Sequence, residues 1–285
     1  MPTEAVAAYL RRIAYEGDLA PTYESLVALH RAHLDAVPYE NHGPVLGRPP
    51  SADPAASLAR VGEVRRAGYC FHQNGALELV LRELGFRMRR WHGHVHLAVD
   101  DRDTSLNHLV LEADGLPTDD NPGGRWWVDV GLGDAFREPL PITAGTHHQG
   151  GFDYEIAEVH EDGWSFHRSS IGTFTDVDIR SLPTDQAAVD EAHGRLSAPG
   201  SGRFAQVLVV QRRDDTGIDT VRGCLHHRTG PAGSTETELG SYDAWREALV
   251  EGTGLSLEGL EDDEMRALYA EHWAKHLAWT ASGRP

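Results

Sequence analysis

Two cysteines occur in the 285 residues, Cys70 and Cys224. Cys70 lies in Arg66-Ala67-Gly68-Tyr69-Cys70-Phe71-His72-Gln73-Asn74. The next apolar residues, Leu77, Val80, Leu81 and Leu84, predict a helix stopped by Gly85. A sulfur at a helix start meets roughly half a positive charge and several unpaired amide hydrogens, which favour thiolate over thiol. Gly68 lets the chain turn sharply before it, and N–H groups around Cys70 and Phe71 are suited to an oxyanion hole. From position alone, a buried structural cysteine is the alternative.

A nucleophilic thiolate needs a base, and the base needs an orienting group. Asn107-His108-Leu109-Val110-Leu111 sets a histidine at the start of a predicted strand. Arg125-Trp126-Trp127-Val128-Asp129-Val130-Gly131-Leu132-Gly133 sets Asp129 late in a very apolar one. A carboxylate among such neighbours is costly to bury unless it is paired, and an imidazolium would satisfy it. Singly, His108 reads as a core histidine and Asp129 as a turn residue. With Cys70 they read as base and orienter of a cysteine nucleophile.

Other histidines carry less. His92, His94 and His96 alternate, so their rings share one strand face, a spacing that zinc accepts. No cysteine pair or carboxylate motif lies nearby, so the expectation is a solvated polar face and no metal. His147-His148 and His226-His227 read as loop residues, and Cys224 as packing within a strand. Pro122-Gly123-Gly124 lacks the Lys-Ser/Thr of a phosphate loop.

The elements that must position these groups change character along the chain. Thr3 and Thr22 are placed to cap two helices, one bearing Val6, Tyr9, Leu10 and Ile13, the other Leu26, Leu29, His33, Leu34 and Val37 up to Pro38. Residues 43–54 read as a loop. Beyond Gly85 short strands are expected at 89–99, 106–112, 126–130, 152–159 and 164–168. A loose connection over 181–201 leads to a buried strand at 205–211, with 220–226 as its partner. Helices over 241–250 and 262–279 close the chain, the last with Met265, Leu268, Tyr269, Trp273 and Leu277 on one face. The expected class is α+β: a helical unit at 1–86, a β-barrel at 87–180, a connection at 181–204 and an α/β unit at 205–285.

Lys and Arg total 26 against 44 Asp and Glu, a formal charge of −18. Such a surface repels nucleic acid and anionic lipid, so neither is an expected partner. One anionic ligand remains compatible, in a local pocket built against the background field. No apolar run approaches the ~18 residues of a membrane span. The N-terminus lacks the pattern of a signal peptide, so a cytoplasmic address is expected.

Taken together the motifs resemble those of the arylamine N-acetyltransferases. RAGYCFHQN is similar to the signature Arg-Gly-Gly-x-Cys-x-Glu/Gln-x-Asn. Val37-Pro38-Tyr39-Glu40-Asn41, NHLVL, WWVDVGLG and Ser201-Gly202-Arg203-Phe204 resemble further landmarks in the family's order. The resemblance implies a helical bundle, a β-barrel and an α/β lid around a cysteine-protease/transglutaminase-like core. It implies ping-pong transfer from acetyl-CoA or another acyl-CoA, with no tightly bound cofactor, to an arylamine, arylhydrazine or N-hydroxyarylamine. Carried over, Cys70 is the nucleophile, His108 the base and Asp129 its orienter, with Phe71 and His72 in oxyanion or positioning roles. Tyr39, Tyr69, Val95, Leu132 and Phe204 fall where the family lines its acceptor pocket, Gly131 and Gly133 where backbone lies close to the cofactor. Ala67, His72, Asn107 and Leu132 depart from the family pattern, which bears on acceptor and donor. A side branch makes amides from carrier-bound polyketide chains; a Cys-His-Asp hydrolase or transglutaminase-like enzyme and a non-catalytic scaffold are further readings. A homodimer is left open.

Overall fold

The computed structural model describes residues 2–96, 103–168, 174 and 176–283. Helix α1 (Glu4–Arg12) starts where the Thr3 hydroxyl accepts the Val6 N–H, and α2 (Tyr23–Ala36) where Thr22 accepts that of Ser25. A two-residue strand, β1 (Tyr39–Glu40), follows. The stretch expected as loop holds a short helix α3 (His42–Val45) and leads into α4 (Pro54–Glu63). Pro54 opens α4 rather than breaking anything: proline at a first helical position forfeits no hydrogen bond, and Asp53 caps the turn. Helix α5 (Cys70–Glu83) ends at Gly85, whose φ of +93° suits the left-handed stop. Leu26, Leu29, Val61, Val80 and Leu81 fill the first core.

Eight antiparallel strands follow: β2 (Arg87–His96), β3 (His108–Asp114), β4 (Trp126–Val128), β5 (Leu140–Pro141), β6 (Gly145–Gln149), β7 (Phe152–His160), β8 (Gly163–Arg168) and β9 (Asp176–Arg180). Their order in the sheet is β5-β4-β3-β2-β9-β8-β7-β6. Trp127 of β4 reaches Phe166 of β8 with ring centroids 5.1 Å apart, across three intervening strands, so the sheet curls into a barrel. Residues 97–99 of the first expected strand lie outside the described residues. His147 and His148 sit in β6, not in a loop.

The connection read as loose instead holds α6 (Gln186–Leu196), capped by Asp185, with Val189, Ala192 and Leu196 packed into the first core. Arg203–Ala205 is one 3₁₀ turn, and the strand expected at 205–211 runs later, as β10 (Val209–Arg213). Strands β11 (Ile218–Arg222), β12 (Leu225–Gly230) and β13 (Gly233–Glu238) complete a sheet ordered β1-β10-β11-β12-β13. Of the expected partner at 220–226, Thr220–Arg222 end β11 and do pair with β10, whereas Gly223 and Cys224 form the turn into β12, which holds His226-His227. Helices α7 (Tyr242–Glu247) and α8 (Asp262–Ala281) cover this sheet through Trp245, Met265 and Leu268, with Leu249 added from the π-helical turn Ala248–Gly252.

On α8 the expected apolar stripe is corrected. Leu277 is 51% exposed, while His272 and His276 are buried. Their rings can go inside because they are bonded: His272 Nε2 accepts the Leu208 N–H at 2.9 Å, and His276 Nε2 pairs with Glu238 at 2.8 Å. No helix among the described residues is long and apolar enough to cross a membrane. Three separate cores exist, and we propose the unit boundaries 1–86, 87–180 and 205–285 from them. Helix α6 within 181–204 belongs to the first core.

Candidate active site

Cys70 is the first residue of α5, and extended Tyr69 precedes it as N-cap. Gly68 has φ +101°, and a Cβ there would stand 2.6 Å from His72 Nδ1, so glycine is needed twice over. Ala67, where the family pattern has glycine, is not among the positive-φ residues. The thiol points to the Asn107 carbonyl at 3.7 Å, at the foot of β3. Asn107 in turn clamps Val95, accepting its N–H at 2.7 Å and donating to its carbonyl at 3.1 Å. The next residue, His108, lines the same cavity as Cys70 and interacts with its sulfur electrostatically.

The structure brings Asp129 onto the same histidine. His108 Nε2 lies 2.6 Å from Asp129 Oδ2. Trp127 Nε1 donates to the same oxygen at 3.1 Å, while Asn74 Nδ2 at 2.8 Å and the Gly131 N–H at 3.0 Å serve Oδ1. Four donors thus meet a carboxylate that is 1% exposed, which answers its desolvation cost. Burial alone would depress the His108 imidazole; the Asp129 charge and the Cys70 sulfur outweigh it, and its pKa rises to about 10.

Three positioning groups went unassigned in the sequence. Asn74 ties α5 to both strands, since it also donates to Leu109 O at 2.7 Å and accepts the Val130 N–H at 3.0 Å. It lay inside the signature, and its spacing from Cys70 on one helix was the available signal. Trp127 sits two residues before Asp129, on the same side of the strand. His30, from α2, accepts the Asp129 N–H at 3.2 Å and donates to Arg137 O at 2.8 Å. No local pattern announces that contact.

Phe71 and His72 are both buried side chains outside the cleft, so any oxyanion contact from Phe71 is through its backbone. His72 caps the helix start: Nδ1 accepts the Tyr69 N–H and Nε2–H donates to Pro50 O, each at 3.3 Å. Burial, then His193 nearby, lowers its pKa to about 4, so the ring is neutral near pH 7. His72→Gln keeps one acceptor and one donor and is expected to melt within a few degrees of the parent. His72→Glu turns an acceptor toward the Pro50 carbonyl and buries a charge; a loss of about 2 kcal/mol or more is expected in denaturant titrations. Equal stability of the two variants would remove His72 from the capping role.

Of the expected pocket residues, Tyr39, Val95, Leu132 and Phe204 line a cavity of about 80 Å³ beside Cys70 and His108, together with Phe174, Arg203 and Gln211. Tyr69 does not. It lies behind the wall, its ring 4.3 Å from that of Phe204 and its hydroxyl 2.5 Å from His193 Nδ1. Gly131 lines the cavity, and a Cβ there would stand 2.5 Å from Cys70 Cα. Gly133, at φ +67°, would collide with Gln211 Oε1 at 2.2 Å. Both glycines seat the loop after β4 against protein. The His92, His94 and His96 rings are not solvated: they bond Thr104 O at 2.9 Å, Ser105 O at 2.6 Å and Asp178 at 3.3 Å. Among the described residues no cluster of three or more His, Cys, Asp or Glu could hold a metal ion.

A family model for N-acetyltransferases matches residues 22–261. An arylamine N-acetyltransferase of Mycolicibacterium smegmatis is 30% identical over 279 residues, covering 92% of this chain and 96% of that one. The solved M. smegmatis arylamine N-acetyl transferase superposes with TM-score 0.83 at 27% identity, over 93% of this chain and 97% of that one. A proansamycin X synthase of Amycolatopsis mediterranei is 27% identical over 235 residues, 73% of this chain and 85% of that protein. Matched in sequence and fold over nearly its whole length, the chain belongs to the arylamine N-acetyltransferase family of enzymes.

Proposed function

We propose that the protein transfers an acetyl group from acetyl-CoA to an arylamine by double displacement through a Cys70 thioester. The observation that carries this reading is a thiol and an imidazole lining one cavity, with the imidazole hydrogen-bonded from behind to a buried carboxylate. His108 takes the Cys70 proton, and with a pKa near 10 it holds that proton at neutral pH. The sulfur attacks the thioester carbonyl of acetyl-CoA, and N–H groups at the start of α5 face the oxygen on which charge develops. The CoA sulfur departs with the proton returned by His108, leaving acetyl-Cys70. An amine then attacks the acetyl carbonyl and gives its proton to His108, and the Cys70 sulfur leaves.

Tyr39, Phe174 and Phe204 in the cavity wall favour a flat aromatic acceptor. The narrow cavity suits an acetyl group better than a long carrier-borne chain, and it limits the water a hydrolase would require. Both cysteines are free, as suits a reducing cytoplasm.

The test is intact-protein mass spectrometry after exposure to acetyl-CoA, with peptide mapping. One acetyl group on Cys70 is expected, discharged on adding an arylamine with formation of the N-acetyl product. An acetyl group mapped elsewhere would sink the nucleophile assignment. Discharge at one rate with and without amine would make the protein a hydrolase. In parallel, iodoacetamide should label Cys70 well before Cys224, whose thiol burial pushes up to about 11. Equal labelling rates would argue against a special reactivity at Cys70.

A further inference from the structure

Helix α6 ends against the segments that carry both the thiol and its base. His193 and Arg195 stand two positions apart in its last turn, so their side chains leave on roughly opposite sides. Neither lines the cavity beside Cys70. His193 Nδ1 meets the Tyr69 hydroxyl at 2.5 Å. Burial raises the pKa of that hydroxyl and lowers that of the imidazole, so near neutrality Tyr69 donates and a neutral His193 accepts. Arg195 Nη2 donates to the Leu106 carbonyl at 2.8 Å. Tyr69 immediately precedes Cys70, and Leu106 stands two residues before His108. Asn107, between Leu106 and His108, is the residue whose carbonyl meets the Cys70 sulfur at 3.7 Å.

The helix making these two bonds is itself fixed. Val189, Ala192 and Leu196 pack into the first core. At its start Gln186 donates to Ala52 O at 3.1 Å and accepts from Arg90 at 3.3 Å. At its end the Ser197 hydroxyl closes on the His193 carbonyl at 2.7 Å. Tyr69 is then held by its N–H at His72, by its hydroxyl at His193 and by its ring against Phe204.

Resting on the Cys70 thioester reading above, we infer that α6 is a brace that sets the separation of Cys70 and His108, with His193 and Arg195 as positioning residues. Proton transfer between sulfur and imidazole depends steeply on their separation, and a misplacement of about 1 Å can cost about a hundredfold in rate. Slack in either braced segment is therefore felt in the chemistry before it is felt in the fold.

The test pairs Tyr69→Phe, which removes only the hydroxyl, with Arg195→Met, which keeps a long side chain at an exposed position without its donors. Two quantities are read well below the melting temperature of each variant. One is the single-turnover rate of Cys70 acetylation by acetyl-CoA. The other is the pH midpoint of Cys70 alkylation by iodoacetamide, which needs no acetyl chemistry. Each variant should lower the acetylation rate about tenfold. Each should also raise the alkylation midpoint by about half a pH unit or more, because a thiolate farther from the imidazolium is less stabilised. Arg195→Lys should restore much of what Arg195→Met loses, and His193→Gln, which keeps an acceptor, should stay near the parent. His193→Leu should match Tyr69→Phe and add little to it in the double variant, since both break one bond; it also reports on that bond should Tyr69→Phe not fold. A parent-like midpoint in folded Tyr69→Phe or Arg195→Met overturns the inference, even where melting is lowered, since that pattern assigns α6 to stability alone. If the parent takes no acetyl group, the thioester reading fails while the alkylation midpoints still decide on the brace.

Discussion

Replacing Asp129 by Asn is expected to lower kcat/KM for acetyl transfer by about 10⁴, the cost of the equivalent change in a serine protease triad. The reason lies in the four donors around the carboxylate. His108, Trp127, Asn74 and the Gly131 N–H all donate to Asp129. An amide has one acceptor oxygen and one NH₂ group, so either orientation sets N–H against N–H. If the NH₂ faces His108, the imidazole must carry its proton on the nitrogen nearer the sulfur and can no longer accept one from it. If it faces Asn74 and Gly131, the loop after β4 loses its anchor beside Cys70. The variant also lacks the charge that, against burial, lifts His108 to about 10. Cys70 alkylation followed against pH should therefore shift its midpoint in Asp129→Asn. Activity within a few-fold of the parent would show that another group orients His108.

A second large effect is expected in acid. His30, His33 and His72 are fully buried, and desolvation lowers their pKa values to about 4, 3 and 4 from 6.5. Each is neutral when folded, whereas in the unfolded chain each gains a proton below pH 6.5. The unfolded state thus binds more protons, and stability falls as pH drops from 6.5 toward 4. The slope is about 1.4 kcal/mol per pH unit for each group, or about 4 for the three. Against a total of roughly 5–15 kcal/mol, that is enough to unfold the protein in mild acid. Glu40 adds to the loss at lower pH. Burial would raise its pKa, but His42 beside it brings it to about 2, so its contribution is lost as pH falls below 4.5.

His108 works in the opposite sense. Its folded pKa near 10 lies above 6.5, so its contribution is complete below pH 6.5 and fades as pH rises toward 10. A stability maximum near neutrality follows. Urea midpoints measured from pH 8 to pH 5 should fall steeply at the acid end. His33→Gln, which can still meet Tyr9 and Gln73, should reduce that slope by about a third, one proton of the three. A midpoint at pH 5 equal to that at pH 7 would contradict the assignment of these rings as buried and neutral.

Local chemistry settled much of this protein in advance. Thr3, Thr22 and Gly85 mark helix ends through hydrogen bonds and φ values that involve only their near neighbours. Cys70 at the start of α5, and His108 and Asp129 on or just beyond adjacent strands, could be read for the same reason. Helix α4 and helix α6 were hidden, since their stability comes from packing on α1, α5 and the first core. The β2 histidines were misread, and His272 and His276 went unread, because a polar residue looks solvated until its partner is known. His272, His276, His92 and His94 all go inside on bonds to groups distant in sequence or across a turn.

Tertiary structure alone decided the support of the site. His30 reaches Asp129 across 99 positions of sequence, and Tyr69 withdraws behind Phe204, which enters from beyond α6. The cavity beside Cys70 has walls from β1, β2, β3, β10 and the turn at Arg203–Ala205, so its lining is scattered along the chain. Reactive groups betray themselves by their neighbours in sequence; a binding surface is assembled from side chains whose only common property is where the fold places them.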